Sequence, residues 1–518
     1  MNKFIKNKSR HLFFGGIYTL CNVSCFAADG DRPNIIYIMA DDHAAQAISA
    51  YGGILKDVLP TPNLDRIANE GMRLQNCFVT NSISTPSRGA VITGQYSHKN
   101  GVYTLSDKLN PEHPNVAKCL QKSGYQTGML GKWHLGTEPQ GFDYYNVLPG
   151  QGRYYDPVLI EKGMWGNNPS VTASADKGKV YKGHSTDVIT DQALRFLTRR
   201  DKDKPFFLMC HYKAPHRNWL PAERFKNLLK DVKIPEPDNL FDAYEGKGEY
   251  AQFLQMSMEH LTKSDLKTSI PTGMTRDEQR RWAYQIYMKD YLRCIAGIDE
   301  NVGRILDYLD KNGLAENTIV IYTSDQGFFL GEHGWFDKRL MYEECLRMPF
   351  LVRYPKEIKP GTVNNDLVLN IDFAPLFLDY AGEEKPKQMQ GESFRKNLTG
   401  QTPEDWRKSI YYRYWMHGDN SHNTPANYGI RTDRYKLIFY YAQPLDMKGT
   451  RDTPKLPAQW ELYDLEKDPA EMNNIYNDPA NKKLIKSLKK ELLRLKKYYG
   501  DEDSNYPEMK KIADACYW

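Results

Sequence analysis

The sequence predicts an α/β protein: a large, mostly parallel central sheet flanked by helices, followed by a smaller C-terminal subdomain that combines an antiparallel sheet with a helix. Three observations predict it. Apolar, β-branched runs without polar alternation recur up to residue 353, the pattern of strands buried on both faces. Helix-forming stretches lie between them, which is the alternation of a parallel sheet with crossover helices. After about residue 400 the texture changes to short strand-like pieces closed by a Lys- and Leu-rich helical stretch.

The first run, 33–39, is Pro-Asn-Ile-Ile-Tyr-Ile-Met, and similar runs occupy 127–130, 205–210, 318–323 and 349–353. Helices are expected over 63–70, 115–123, 187–198 and 275–311, the last stopped by Asn312-Gly313. The charged, Pro- and Gly-dotted stretch 225–275 reads as an insertion over one face. Beyond it, strands at 409–414, 428–432, 435–441 and 461–463 precede a helix at 481–499. The expected organisation is a signal peptide (1–28), an α/β domain (29–400) and a C-terminal α+β subdomain (401–518).

Length and composition bound the function. At 518 residues the chain exceeds one ordinary domain. Its 35 Tyr, 9 Trp and 20 Phe allow a large core and suit a protein that holds sugars. A net charge of +5 among 70 basic and 65 acidic residues, with no basic block, argues against a nucleic-acid groove. The basic start (Lys3, Lys6, Lys8, Arg10), the apolar stretch 12–25 and Ala27-Ala28 read as an export signal, so a periplasmic location is expected. Cys25 is the candidate for a lipid anchor, but Asn22-Val23-Ser24 is a poor lead-in to one. Cys21 lies in the same leader; the six cysteines beyond it are scattered, without metal-type spacing, and read as free buried thiols.

The chemistry sits at the strand ends. The first four runs end in Asp41-Asp42-His43, Lys132-Trp133-His134, His211 to Pro215-His216, and Ser324-Asp325-Gln326. Ligands in parallel α/β sheets bind beyond the carboxyl ends of the strands, so these groups converge on one edge. Asp41, Asp42, Asp325 and Gln326 form a hard-oxygen set suited to Ca²⁺ or Mg²⁺. Taken singly, each Asp reads more readily as a helix cap than as a metal ligand. Ser84-Thr85-Pro86-Ser87-Arg88 precedes a helical stretch, with Thr85 as the expected cap and Pro86 at the first helical position. An anion is favoured at such an end, and Arg88 lies one turn on.

Ser84-Thr85-Pro86-Ser87-Arg88 followed by Thr93-Gly94 resembles the signature of the type I, formylglycine-dependent sulfatases, in the alkaline-phosphatase-like superfamily. The resemblance continues through Asp41-Asp42, the run from Gly131 to Gly136, Pro215-His216, Ser324-Asp325-Gln326-Gly327, Glu332-His333-Gly334 and Lys338. Two positions depart from the commoner pattern. Ser84 stands where many members have Cys, which is similar to the bacterial branch matured by an anaerobic radical enzyme. Gln326 stands where Asn or His is frequent.

The resemblance implies one Ca²⁺ held by Asp41, Asp42, Asp325, Gln326 and the modified Ser84, and oxidation of Ser84 to formylglycine by a maturation enzyme. It further implies that Arg88 and Lys132 stabilise the modified residue and the sulfate oxygens, and that His134 deprotonates its second hydroxyl. His216 is the implied general acid, and Lys338 neutralises charge on the sulfuryl group. The stretch 324–338 and the run from Lys213 to Trp219 are similar to bacterial N-acetylglucosamine-6-sulfatases, so the expected substrate is a 6-O-sulfated glycan of heparan or mucin type. His98, His211 and His333 read as structural, and His43 is open. Trp415, His417, His422 and Arg431 are candidates for sugar contact as much as for core roles. A phosphate-ester hydrolase using unmodified Ser84, and a non-catalytic glycan binder, are the competing readings.

Overall fold

The structure, a computed structural model, describes residues 32–518. The expected signal peptide and Cys25 lie outside them. The central sheet has ten strands: β1 (Asn34–Ala40), β2 (Met72–Leu74), β3 (Gln126–Lys132), β4 (Tyr144–Leu148), β5 (Val158–Glu161), β6 (Lys179–Val180), β7 (Phe206–His211), β8 (Thr318–Ser324), β9 (Phe350–Arg353) and β10 (Thr362–Asn364). Their spatial order is β10-β2-β9-β8-β1-β7-β3-β4-β5-β6. The middle five, β8-β1-β7-β3-β4, are parallel throughout; the apolar runs predict this for β8, β1, β7 and β3, whereas β4 is not among them.

Both faces of β1 are buried, and its alternate residues enter two separate cores. Ile36 and Ile38 pack with α1 (Pro62–Asn69), α4 (Ser185–Arg199) and α5 (Arg276–Lys311). Ile35, Tyr37 and Met39 pack with α2 (Ser84–Thr93), α3 (Val116–Lys122) and α6 (Phe373–Tyr380). Local chemistry sets the helix starts. Asn115 accepts the Lys118 N–H at 2.9 Å ahead of α3, and Thr275 and Glu278 form a reciprocal capping box ahead of α5.

One strand departs from expectation: β9 runs antiparallel to β8. The chain leaves β8 at its carboxyl end, stays at that edge to build the site, and re-enters the sheet from the same side. A parallel return would need a crossover to the far edge.

The C-terminal sheet is the antiparallel meander β11 (Ser409–Tyr414), β12 (Asn427–Thr432), β13 (Tyr435–Tyr440) and β14 (Gln459–Asp464), covered by α7 (Lys482–Tyr499). Its inward residues continue the core of the α2 face, so one apolar cluster runs from Ile35 to Leu492. The stretch 225–275 is tied to both the catalytic loops and the C-terminal sheet. Tyr250 and Met256 are fully buried, Gly248 N–H donates to Glu461 of β14 at 2.9 Å, and Phe336 N–H donates to the Met256 carbonyl at 2.8 Å. The six cysteines of the described residues are free; Cys77, Cys210, Cys294 and Cys345 are buried, whereas Cys119 is half-buried and Cys516 exposed.

Candidate active site

The four strand ends do converge. Asp41 and Asp42 follow β1, His134 follows β3 whose last residue is Lys132, His216 lies in the loop after β7, and Asp325 and Gln326 follow β8. Helix α2 contributes Ser84 and Arg88, and the β8–β9 connection contributes Lys338. Two hydrogen bonds lock the central loops together: Asp42 N–H donates to the Asp325 side-chain Oδ1 at 3.0 Å, and Asp325 N–H donates to the Ala40 carbonyl at 3.3 Å.

Asp41, Asp42 and Asp325 are fully buried, with one oxygen of each within 4.8 Å of the others. Three buried cations face them. Arg88 Nη2 donates to Asp325 Oδ2 at 2.9 Å and to Asp41 Oδ1 at 3.2 Å, while its Nη1 holds the Lys132 carbonyl at 2.6 Å. Lys132 Nζ pairs with Asp41 and with Gln151 Oε1 at 2.5 Å. Lys338 Nζ contacts both oxygens of Asp42, at 2.5 and 2.7 Å. Burial opposes ionisation of Asp41, but Lys132, His216 and Arg88 outweigh it and hold the carboxyl well below the usual range. At Asp42 burial wins over Lys338, and with Asp41, Asp325 and Asp337 close by the carboxyl is pushed up to about 7.

Three carboxylates crowded in this way could hold a metal ion. Gln326 Nε2 bridges Asp42 and Asp325 Oδ1 at 2.7 Å, and its Oε1 is buried with no partner. Three carboxylates plus an unsatisfied amide oxygen make an all-oxygen donor set, which fits a hard divalent cation.

Ser84 is 2% exposed, and its Oγ donates to Asp41 Oδ1 at 3.2 Å. The local cap differs from expectation. Helix α2 begins at Ser84 itself, with Ile83 extended before it and no side-chain cap. Pro86 therefore sits third, where its missing N–H is still outside the helical ladder. The Thr85 hydroxyl is spent elsewhere, 3.4 Å from His134 Nδ1.

His134 is held at a left-handed φ of 56°. Burial, with Lys132 and Arg88 nearby, keeps its imidazole well below the ordinary value and hence neutral. His216 Nδ1 donates to the Arg217 carbonyl at 2.7 Å, which leaves Nε2 facing Asp42 Oδ2 at 3.9 Å. Burial and Lys132, Lys338 and Lys213 depress His216 as well, against the pull of Asp41.

Four further histidines are held by hydrogen bonds and do not line the cleft that Ser84 opens into. His43 Nδ1 bonds the Tyr322 hydroxyl at 2.5 Å, His211 Nδ1 donates to the Lys132 carbonyl at 3.1 Å, His333 Nδ1 meets Asp242 Oδ2 at 2.7 Å, and His98 meets the Tyr499 carbonyl at 2.9 Å.

Ser84, His216 and Lys338 open into a cleft of about 410 Å³ whose other walls include Gln151, Arg217, Asp337, Arg339, Asp419 and His422. Of the four candidate sugar contacts, His422 alone lines it. Trp415 is buried under Arg413, whose guanidinium lies 3.5 Å from the ring centroid. His417 accepts the Ala426 N–H at 3.2 Å, and Arg431 pairs with Glu343 at 3.3 Å. Sequence reasoning missed Asp337 and Arg339, which flank Lys338, as well as Gln151 and Asp419. Adjacency to Lys338 was the available signal for the first two; nothing local marks the others.

The sulfatase family model matches residues 33–383, and the C-terminal model of N-sulphoglucosamine sulphohydrolase matches 331–498. An N-acetylglucosamine-6-O-sulfatase of Bacteroides thetaiotaomicron is 44% identical, with 92% of this chain and 88% of that protein covered. The goat (Capra hircus) N-acetylglucosamine-6-sulfatase is 29% identical over 77% of this chain and 69% of its own. A solved structure in complex with its substrate, D-glucosamine-2-N,6-O-disulfate, superposes with a TM-score of 0.82 at 44% identity, covering 91% of this chain and 99% of that one.

Proposed function

Since this chain belongs to the sulfatase family and is a sulfuric ester hydrolase, we propose that it removes the 6-O-sulfate from N-acetylglucosamine units of sulfated glycans, working in the periplasm. The observation that carries the mechanism is Ser84 Oγ, buried at the start of α2 and aimed at Asp41 within the carboxylate cluster. Relatives that share the fold and much of the sequence are named for this sugar position or bound to a 6-O-sulfated glucosamine.

Ser84 is the residue for oxidation to formylglycine by a transiently bound, anaerobic sulfatase-maturating enzyme. Asp41, Asp42, Asp325 and Gln326 would hold one Ca²⁺, with the modified Ser84 beside them. When bound, the cation supplies positive charge that lowers the pKa of the nucleophilic oxygen at position 84. The remaining work belongs to the side chains. Arg88 and Lys132 hold position 84 and the sulfate oxygens in a fixed field of positive charge, and Lys338 faces the charge that develops on the sulfuryl group.

His134, neutral and beside α2, accepts the proton whose loss lets the enzyme-bound sulfate leave. His216 protonates the departing sugar oxygen. Its Nδ1–H is committed to a backbone carbonyl, so Nε2 is the atom that gains and delivers the proton. The cations that depress it are offset when the anionic sulfate ester enters. Asp337, Arg339, Asp419 and His422 supply the polar walls against which the sugar is oriented.

The test has two arms. A mass spectrum of the Ser84 peptide from the native host is expected to show a residue two hydrogens lighter than serine. Matured enzyme is then offered N-acetylglucosamine sulfated at O3, O4 or O6, with release expected at O6. Unmodified Ser84 combined with phosphate-ester turnover, or a preference for another position, overturns the reading.

A further inference from the structure

A second groove lies along the first turns of α7, and its lining shares no residue with the catalytic cleft. It has a volume of about 720 Å³, and Lys482, Lys486, Lys490, Tyr476 and Trp518 are among the residues that line it. The three lysines are spaced i, i+4, i+8, so they form one stripe on the helix surface, and all three are exposed. Like charges at this spacing repel, and none of the three takes part in an ion pair. Lys482 also sits at the wrong helix end: the first turn of α7 holds no acidic residue, although the exposed N–H groups there favour negative charge.

Beneath the stripe lies a fourth cation without a counter-charge. Lys489 is 2% exposed, and its Nζ sits 4.2 Å from the Trp460 ring centroid and 5.2 Å from that of Tyr476. It donates to the Tyr476 hydroxyl at 2.8 Å and to the Tyr517 carbonyl, and burial lowers it to about 8. The lining also holds one acidic side chain, Asp478, which accepts the Ala480 N–H at 2.9 Å and keeps its negative charge. The groove thus carries four lysines against the one carboxylate side chain of Asp478, together with the aromatic faces of Tyr476 and Trp518, the latter 70% exposed.

We propose that this groove is a second, non-catalytic binding site for an extended sulfated glycan chain. Sulfates would pair with the lysine stripe, and the C–H faces of the sugar rings would lie against Trp518 and Tyr476. A compact anion would leave the aromatic faces unused, and a neutral glycan would leave the lysines uncompensated; a sulfated polysaccharide satisfies both. The proposal draws on the catalytic reading only for the identity of the polyanion, so it is tested by binding rather than by turnover.

The experiment uses full-length protein carrying Ser84→Ala and the probe heparin, by titration calorimetry at several salt concentrations. Binding is expected, with an affinity that falls as salt rises. Adding Lys482→Glu, Lys486→Glu and Lys490→Glu should weaken it at least about tenfold and flatten the salt dependence. Trp518→Ala, which changes no charge, should weaken it by a smaller factor. The triple substitution on matured, Ser84-containing enzyme should leave turnover of monosaccharide 6-sulfate unchanged, which also shows that the fold is intact. No heparin binding by the Ser84→Ala protein, unchanged binding after the triple substitution, or equally tight binding to phosphatidylglycerol vesicles overturns the proposal.

Discussion

Replacing Gln326 by Leu separates a cation donor from a packing residue. In the cation-free protein its Nε2 donates to two carboxylates, and hydrogen bonds to charged groups contribute about 1.5–3 kcal/mol each. Removing the amide also removes the orphaned Oε1, which returns about 1–3 kcal/mol of desolvation cost. The net loss for the cation-free protein is therefore about 0–5 kcal/mol, centred near 2–3. With calcium the argument changes, because Oε1 is the oxygen left free to ligate. Losing it should raise the calcium Kd at least about 10–100-fold, or about 1.4–2.7 kcal/mol. At a calcium concentration about 100 times the parent Kd, the parent gains about 2.7 kcal/mol and the variant about 1.4 or less. Titration calorimetry gives the Kd, and thermal melts with calcium or chelator give the stabilisation. Gln326→Glu should respond in the opposite sense: a fourth carboxylate destabilises the chelated protein further but enlarges the calcium-induced rise in Tm. If the Leu variant binds calcium as tightly as the parent, Gln326 is not a donor and the oxygen-set argument fails.

Three further outcomes are expected. His216→Asn should lower kcat on a sugar sulfate by about 10²–10⁴-fold, but much less on an aryl sulfate whose phenolate leaves unaided; equal losses on both would remove the general-acid role. His333 is pushed down to about 4 by burial, in spite of Asp242. Its folded pKa lies below the unfolded value near 6.5, so its contribution is complete above pH 6.5 and drains as pH falls toward 4, by about 3 kcal/mol. His43, at about 3, extends the same trend to lower pH. Urea melts between pH 7 and 4 should show this decline, and a flat profile would contradict the neutral burial of both rings. Arg413→Leu leaves Asp501 buried without the guanidinium that sits 2.9 Å from it, at a cost of about 3–5 kcal/mol. The double variant with Asp501→Leu should recover much of that loss in the same melts, and an additive loss would refute the pairing argument.

The strand-end motifs were legible because each is local: an apolar run fixes a buried strand, and the residues just after it fall at the carboxyl edge. Asp41, Asp42, Lys132, His134, His216, Asp325 and Gln326 were placed at one edge on that basis, and the structure puts them there. Trp415 and Arg431 show the limit of the same reasoning. Both are polar-tipped residues on or beside short strands, and a two-residue periodicity cannot tell a cleft wall from the buried side of a meander. The start of α2 shows it at smaller scale, where Thr85 satisfies a histidine instead of the helix end.

By itself, the sequence determined the alternation of buried strands and helices, the chemical inventory of the site, and the family signature around Ser84. Only the tertiary structure decided which charge meets which. Arg88 lies 47 residues from Asp41 and 237 from Asp325, yet it bridges them. That bridge exists because β8 and β1 are neighbours in the sheet and α2 packs on the face beneath Tyr37. The reversal of β9, the unpaired oxygen of Gln326 and the raised pKa of Asp42 likewise follow from sheet order and close packing. Those are non-local quantities: a strand's period is written in its own residues, whereas its neighbours and the field they create are settled only when the whole sheet has formed.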